Sequence, residues 1–245
     1  MRRRGTPEID LVGHEGGNAV GEHAYTLTVT DIATGWTENR SVRNKARKWV
    51  IAALDEIAAI MPFPLLGVDS DNGSEFINHH LLDWCNRQQI TFTRSRPGNS
   101  NDGAHVEQKN WAVVRTIVGY LRYDTSAELL LLNQTWVLQS QLTNYFYPQQ
   151  KLVSKERDGA KVTKKVRHRH HSASACRPAR GRHRRGQGHP RRHVLHHQPA
   201  AVQRQIQALT TELIALATAK NTPTRRAPLT RALLDESTNQ TSRAS

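Results

Sequence analysis

The chain has 245 residues, with 35 Lys and Arg against 21 Asp and Glu, so its formal net charge is +14. Hydrophobic residues make up 37% of the sequence, below the usual share of a globular chain, which indicates a folded part diluted by a segment that does not pack. Membrane spans, a secretory signal and a disulfide framework are excluded by the lack of a long apolar run and by a total of two cysteines. We therefore expect a soluble, cytoplasmic protein with a polyanionic partner, of which nucleic acid is the first choice.

The first 147 residues show the patterns of an α/β domain. Three early strands are predicted to form an antiparallel meander, and a helix follows in which Val50, Leu54, Ile57 and Met61 recur at helical spacing. Further on, two short strands alternate with a helix, and two long helices end the domain. The predicted strands are 8–12, 25–32, 36–42, 65–69 and 90–93, and the predicted helices are 44–61, 74–89, 104–123 and 126–145. This order predicts a mixed five-stranded sheet with flanking helices.

The rest of the chain divides by composition. Residues 148–166 are predicted to be a polar linker. Residues 167–198 form an Arg- and His-rich segment, in which the stretch Arg167–His197 holds nine Arg, eight His and no acidic residue. Such a composition buries too little apolar surface to offset chain entropy, so disorder is predicted. Residues 199–245 are predicted to be a C-terminal helix and tail, the helix being marked by Val202, Ile206, Leu209, Leu213 and Leu216.

Three interpretations of the Arg- and His-rich segment are open. It is a basic arm that holds phosphates without sequence preference, or a frameshift product of a GC-rich gene, or a metal-binding histidine tract. The abrupt edges of the segment and its lack of lysine favour the frameshift. The irregular spacing of its histidines speaks against metal binding. Translation of its codons in the other frames would separate the first two interpretations.

Three carboxylates stand out by position. Asp10 lies in a predicted strand between Ile9 and Leu11, where a carboxylate is costly to bury unless it is paired or bound to metal. Asp71 follows the fourth predicted strand and begins the run Asp-Asn-Gly-Ser-Glu-Phe, and Glu107 opens a helix within Val-Glu-Gln-Lys-Asn. Each alone has an ordinary explanation, as a buried acceptor, a turn residue or a first-turn helix acid. Their spacing and context together favour a shared function.

These acids and the residues around them resemble the catalytic core of DDE integrases and transposases, especially bacterial insertion-sequence integrase-core proteins. Thirty-five residues separate Asp71 from Glu107, the D-D-35-E spacing that retroviral integrases share. The resemblance covers about residues 5–150 and implies an RNase H-like fold. It also implies that Asp10, Asp71 and Glu107 are the catalytic residues and metal ligands. Asp69, two residues before Asp71, is a weaker alternative ligand.

The resemblance further implies the chemistry and the partners. Two Mg²⁺ or Mn²⁺ ions, which favour oxygen ligands, would serve the cleavage of a DNA phosphodiester and strand transfer. The partners would be transposon ends and target DNA, bound by a homo-oligomer, with no membrane contact and a nucleoid-associated location. The candidates for DNA contact are Arg94 and Arg96 at the entrance of a Gly-rich loop, and Lys109 and Arg115 on the helix of Glu107.

The sequence also departs from the family. A helix-turn-helix region or a retroviral zinc module is not seen before Asp10, and the Arg- and His-rich segment stands where members continue with basic, aromatic-containing sequence. We therefore expect a truncated and frameshifted remnant of a transposase, either still active or inactive. The alternatives are a catalytically silent DNA-binding protein derived from a transposase, and an RNase H-type nuclease, against which the Asp-Asn-Gly run and the spacing speak.

Overall fold

The computed structural model describes residues 4–70, 79–94, 104–148, 152–159, 161–166, 171–175 and 198–220. Its centre is a five-stranded sheet in the order β3-β2-β1-β4-β5. β1 pairs antiparallel with β2 and parallel with β4, so the chain crosses the sheet between β3 and β4. The strands are β1 Pro7–Gly13, β2 Tyr25–Asp31, β3 Thr37–Val42, β4 Gly67–Ser70 and β5 Thr91–Arg94.

Helices cover both faces of this sheet. Two of them, α1 Arg47–Ile60 and α2 His79–Arg87, lie on one face. There, Ile9 of β1 joins a core with Leu54 of α1 and Trp84 of α2. On the other face lie the helix that carries Glu107 and α5 Ser126–Gln141. A second core forms there around Val12, Val114 and Leu132.

The helix that carries Glu107 consists of three consecutive segments, and we call the three together the Glu107 helix. They are α3 Ala104–Lys109, a π-helical segment Asn110–Arg115 and α4 Thr116–Val118. The sequence predicts one helix to residue 123, but Gly119 adopts a positive φ of 66° and ends it. Beyond that glycine, the backbone of Tyr123 forms hydrogen bonds with the backbone of His14 and of Ala24. These tertiary hydrogen bonds take the place of further helical hydrogen bonds.

The segment 148–166, predicted to be a linker, contains a two-stranded hairpin. Its strands are β6 Leu152–Asp158 and β7 Lys161–Val166, paired antiparallel. Period-2 alternation is weak there because charged residues stand at seven of the thirteen strand positions, so the pattern does not predict a strand. A hairpin within this segment corrects the expectation of a plain linker, while the division of the chain into domains stays a prediction.

Part of the Arg- and His-rich segment also has regular structure. Residues 171–175 include the short helix α6 Ser172–Ala175, and Ser172 and Ala173 are buried against the core. The prediction of disorder is therefore wrong for these five residues, of which Ser172 and Ala173 are buried in the fold. The other residues of 167–198, apart from Gln198, lie outside the described part.

The predicted C-terminal helix is confirmed as α7 Pro199–Ala219. Val202, Ile206 and Leu213 are buried against α5 and the π-helical segment Leu142–Phe146 that follows it. Within the described ranges, no helix is long and apolar enough to cross a membrane.

Candidate active site

The alternation of β1 directs two carboxylates towards the Glu107 helix. Ile9 points to the core under α1, so Glu8, Asp10 and Val12 point to the opposite face. Glu8 is almost fully buried and Asp10 is half-buried. Strand geometry thus places two acids, spaced by one residue, under the helix that carries the third.

Glu8 holds the start of the Glu107 helix. Its Oε2 accepts hydrogen bonds from the backbone N–H of His105 at 2.9 Å and of Val106 at 3.0 Å. The first N–H groups of a helix have no partner within the helix, and a carboxylate there is favoured by the helix dipole. A side chain of β1 therefore caps α3 and fixes Glu107 relative to that strand.

Asp10 makes a second connection one helical turn further on. Its Oδ2 accepts a hydrogen bond of 2.6 Å from Nδ2 of Asn110, and its Oδ1 accepts one of 2.7 Å from the backbone N–H of Leu11. Oδ1 of Asn110 is buried without a hydrogen-bond partner among the described residues. Asn110 is three residues after Glu107, so the strand of Asp10 and the helix of Glu107 are in direct contact. Glu107 itself is exposed in the first turn of α3.

The ends of the paired strands β4 and β5 lie beside the contact between Asp10 and Asn110. Ile9 of β1 pairs with Ser70, the last residue of β4, and Ser70 pairs in turn with Arg94 of β5. Arg94 is exposed, and its guanidinium lies 5.8 Å from the ring centre of Phe92. The predicted ligand Asp71 and the predicted DNA contact Arg96 lie outside the described residues.

The other two predicted DNA contacts lie on the Glu107 helix, and both of their side chains are half-buried against the protein. Lys109 is half-buried, and burial lowers the pKa of its ammonium group to about 8. Arg115 donates to the carbonyl oxygens of Gly13 at 2.8 Å and of Gly119 at 3.3 Å. Its guanidinium also lies 4.6 Å from the ring centre of Tyr120. These contacts tie the helix to the end of β1.

Sequence reasoning did not identify Glu8 or Asn110. Glu8 shares the face of Asp10 by strand period, and Asn110 shares the face of Glu107 by helix period, which were the available signals. Their partners could not be read from the sequence because each bond joins residues about 100 positions apart.

The donor set fits a hard divalent cation, because Asp10 and Glu107 offer carboxylate oxygens. Within the described part of the chain, no group of three or more His, Cys, Asp and Glu side chains is arranged to hold a metal ion. The predicted third ligand, Asp71, is not in that part. Two of the three predicted acids therefore lie on elements that contact each other, Asp10 on β1 and Glu107 on the helix packed against it.

Comparisons with known proteins agree with this architecture. Residues 3–100 match the family model of the integrase core domain. An uncharacterized protein of Sinorhizobium fredii (strain NBRC 101917 / NGR234), y4rM, is 44% identical over 161 residues, 66% of this chain. That match covers 46% of y4rM, so the chain spans less than half the length of this relative.

Two solved structures are similar to the chain. A chain in the cryo-EM structure of the simian T-cell lymphotropic virus intasome, in complex with PP2A regulatory subunit B56 gamma, matches with a TM-score of 0.51 and 13% identity. The match covers 74% of this chain and 58% of that one. The catalytic core domain of BIV integrase matches over 58% of this chain and 85% of its own, with 14% identity and a TM-score of 0.42.

The predicted fold class is confirmed by the mixed five-stranded sheet and its flanking helices. The match to the integrase core domain over residues 3–100 spans all five strands of the sheet. Over residues 3–100 the chain is therefore similar to the integrase core domain, on a fold that it shares with a chain of a solved viral intasome.

Proposed function

We propose that this chain is the core of a metal-dependent DNA recombinase that cleaves a phosphodiester and transfers the strand. The observation that carries the proposal is the hydrogen bond between Asp10 and Asn110, which joins the strand of one predicted acid to the helix of another. The cap that Glu8 provides makes this contact a two-point attachment. A site of this kind needs acids held on rigid elements.

In the proposed reaction, Asp10, Asp71 and Glu107 would hold two Mg²⁺ or Mn²⁺ ions. Bound ions would activate the attacking hydroxyl and stabilise the leaving oxygen of an in-line displacement. Glu8 keeps the Glu107 helix against β1. Asn110 orients the carboxylate of Asp10 by donating a hydrogen bond to its Oδ2. Arg94, exposed beside the end of β4, is proposed to contact a DNA phosphate next to the acids.

The partners are proposed to be transposon ends and target DNA, assembled with several copies of the chain. The intasome match supplies the fold and supports this proposal. A location in the cytoplasm, at the nucleoid when DNA-bound, follows from the same proposal.

The test is the nicking of a supercoiled plasmid in Mn²⁺, a probe that needs no knowledge of the end sequence. We expect relaxation by the wild type and a loss of at least about 100-fold in Asp10→Asn, Asp71→Asn and Glu107→Gln, since removal of a ligand carboxylate removes the ion. Glu212→Gln, which changes an exposed acid of α7 away from the acids and from the cationic residues that could hold DNA, is the matched control.

Two outcomes would contradict the proposal. Nicking that survives in all three ligand variants would come from another site or another protein. Binding of the plasmid by the wild type without any nicking would instead favour the catalytically silent DNA-binding protein. An RNA–DNA hybrid offered in parallel separates an RNase H-type nuclease from a DNA recombinase.

A further inference from the structure

A basic surface lies around the start of α1, away from the candidate active site. Between Arg40 and Leu54 the sequence has five cationic residues and no acid. Arg43, Lys45, Arg47 and Lys48 are all exposed. The exposed Arg87 of α2 lines an open cleft of about 630 Å³ together with Arg47 and Lys48. We call Arg43, Lys45, Arg47, Lys48 and Arg87 the basic surface.

The charge of this surface is only partly balanced. Glu22 lies 3.3 Å from Arg43, and Asp83 lines the cleft with Arg47 and Arg87. Glu15 and Glu22 line a second cleft with Lys45. Five cationic and three anionic side chains leave a local net charge of +2, equal to that of the whole of residues 1–166. The positive charge of the folded core is therefore concentrated here.

Helix stability does not explain these cations. Lys45, Arg47 and Lys48 lie at the N-terminal end of α1, and its first turn contains no acidic residue. Cations at that end oppose the helix dipole, which favours Asp and Glu. Residues that weaken the helix in this way point to a ligand outside the fold. Beside them, Nζ of Lys48 lies 4.7 Å from the ring centre of Trp49, which is itself 37% exposed.

The sheet registers place this surface relative to the acids. Gly13 of β1 pairs with Tyr25, and Tyr25 pairs with Val42, the residue just before Arg43. Two strand spacings and three residues along the strand separate Val42 from Asp10, roughly 14 Å in all. α1 packs on the sheet face opposite the Glu107 helix. A duplex with one phosphodiester at the acids could reach the basic surface within a helical turn of about 34 Å.

We propose that the basic surface binds the phosphate backbone of duplex DNA, as a second contact apart from the acidic site. The proposal rests on the proposed function, which brings DNA to this molecule. A second copy of the chain is a poorer partner, because its acidic residues are densest at 8–15 and 69–75, around the predicted ligands Asp10 and Asp71. The contact carries no base specificity, since isolated Lys and Arg on a surface neutralise phosphates.

The test measures binding of a 30-base-pair duplex of arbitrary sequence by the full chain, without divalent metal, over a series of salt concentrations. The variant is Arg47→Ser combined with Lys48→Ser, and the matched control is Lys161→Ser combined with Lys165→Ser, two exposed cations on the hairpin. Loss of two phosphate contacts lowers the slope of log Kobs against log salt by about 1.8. We expect that change in the variant and a slope near the wild-type value in the control. Arg87→Ser should lower the slope by about 0.9.

The segment 167–198 is the same in every variant, so the differences report the basic surface alone. A slope that falls no further in the variant than in the control would overturn the proposal. So would an unchanged slope with an altered oligomeric state in sedimentation, which would assign the surface to a second copy. Asp71→Asn separates the two proposals, because it should abolish nicking and leave the salt slope unchanged.

Discussion

At the scale of single residues, Glu8 sets the position of Glu107. Its carboxylate is buried and bonds two N–H groups at the start of the Glu107 helix. We expect Glu8→Ala to cost about 1–3 kcal/mol of unfolding free energy, since it leaves donors without an acceptor. Under the proposed function it should also weaken Mn²⁺ binding by roughly 10- to 100-fold, as the loss of groups that orient metal ligands does.

Denaturant unfolding and calorimetric Mn²⁺ titration measure the two effects. Glu8→Gln keeps an oxygen acceptor and should restore most of the Mn²⁺ affinity. Glu56→Ala, which removes an exposed acid of α1, is the control. A folded Glu8→Ala protein with the Mn²⁺ affinity of the wild type would show that Glu8 has no role in positioning Glu107.

The sequence suggests candidate acids but not the contacts that hold their elements together. Asp10 and Glu107 could be proposed as site residues because a carboxylate in an apolar strand and an acid in a family-like run are local features. The contacts of Glu8 with Val106 and of Asp10 with Asn110 depend on how β1 meets a distant helix. Such contacts arise from the tertiary fold, and local patterns do not encode them.

At the scale of elements, α7 is attached to the core by its apolar face and by one charged contact at its end. Nζ of Lys220 lies 2.7 Å from Asp124 and 2.7 Å from Glu128, which caps α5. Burial alone would raise the pKa of Glu128. The hydrogen bonds from Lys220 and from the N–H groups of Thr125 and Asp124 outweigh burial and lower that pKa. The end of α7 thus neutralises a buried carboxylate on another helix.

We expect Lys220→Met to loosen α7 and to cost about 1–2 kcal/mol, between the values for exposed and buried ion pairs. Hydrogen exchange of residues 199–219 should speed up more than that of β1 and β2. Arg204→Met is the matched control, because Arg204 is an exposed cation of the same helix. Equal exchange in the two variants would show that apolar contacts alone hold α7.

The elements also show where periodicity fails as a guide. Apolar spacing predicted α1 and α7 well, because their buried stripes follow a regular helical period. The same spacing predicted a Glu107 helix that is too long. Leu121 continues its apolar stripe, although the positive φ of Gly119 has already ended the helix. A positive φ at one glycine outweighs a weak periodic signal.

At the scale of the whole molecule, two buried groups oppose each other as pH changes. His14 lies within the fold beside Thr26, and burial, with the charges of Arg115 and His23, lowers its pKa from 6.5 to about 3. Glu38 connects β3 to α5, and burial raises its pKa from 4.5 to about 7 against the hydrogen bonds from Ser140 and Trp36. Folding therefore disfavours the proton on His14 and favours it on Glu38.

The two shifts have opposite effects on stability. Between about pH 3 and 6.5 the unfolded chain binds more protons at His14, so the unfolding free energy rises with pH. Between 4.5 and about 7 the folded chain binds more protons at Glu38, so the unfolding free energy falls with pH. From pH 4.5 to 6.5 these contributions cancel in the wild type.

Glu38→Gln should expose the contribution of His14. Relative to the wild type, its unfolding free energy should rise by roughly 1.4 kcal/mol per pH unit between pH 4.5 and 6.5. The unfolding free energy of His14→Gln should fall with pH at the same rate. The double variant should have the same dependence of unfolding free energy on pH as the wild type. Denaturant unfolding at half-unit pH steps measures the slopes, which are independent of the packing cost of each substitution. Parallel curves of unfolding free energy against pH for the wild type and both single variants would contradict these opposite contributions, because they would mean that neither group changes its pKa on folding.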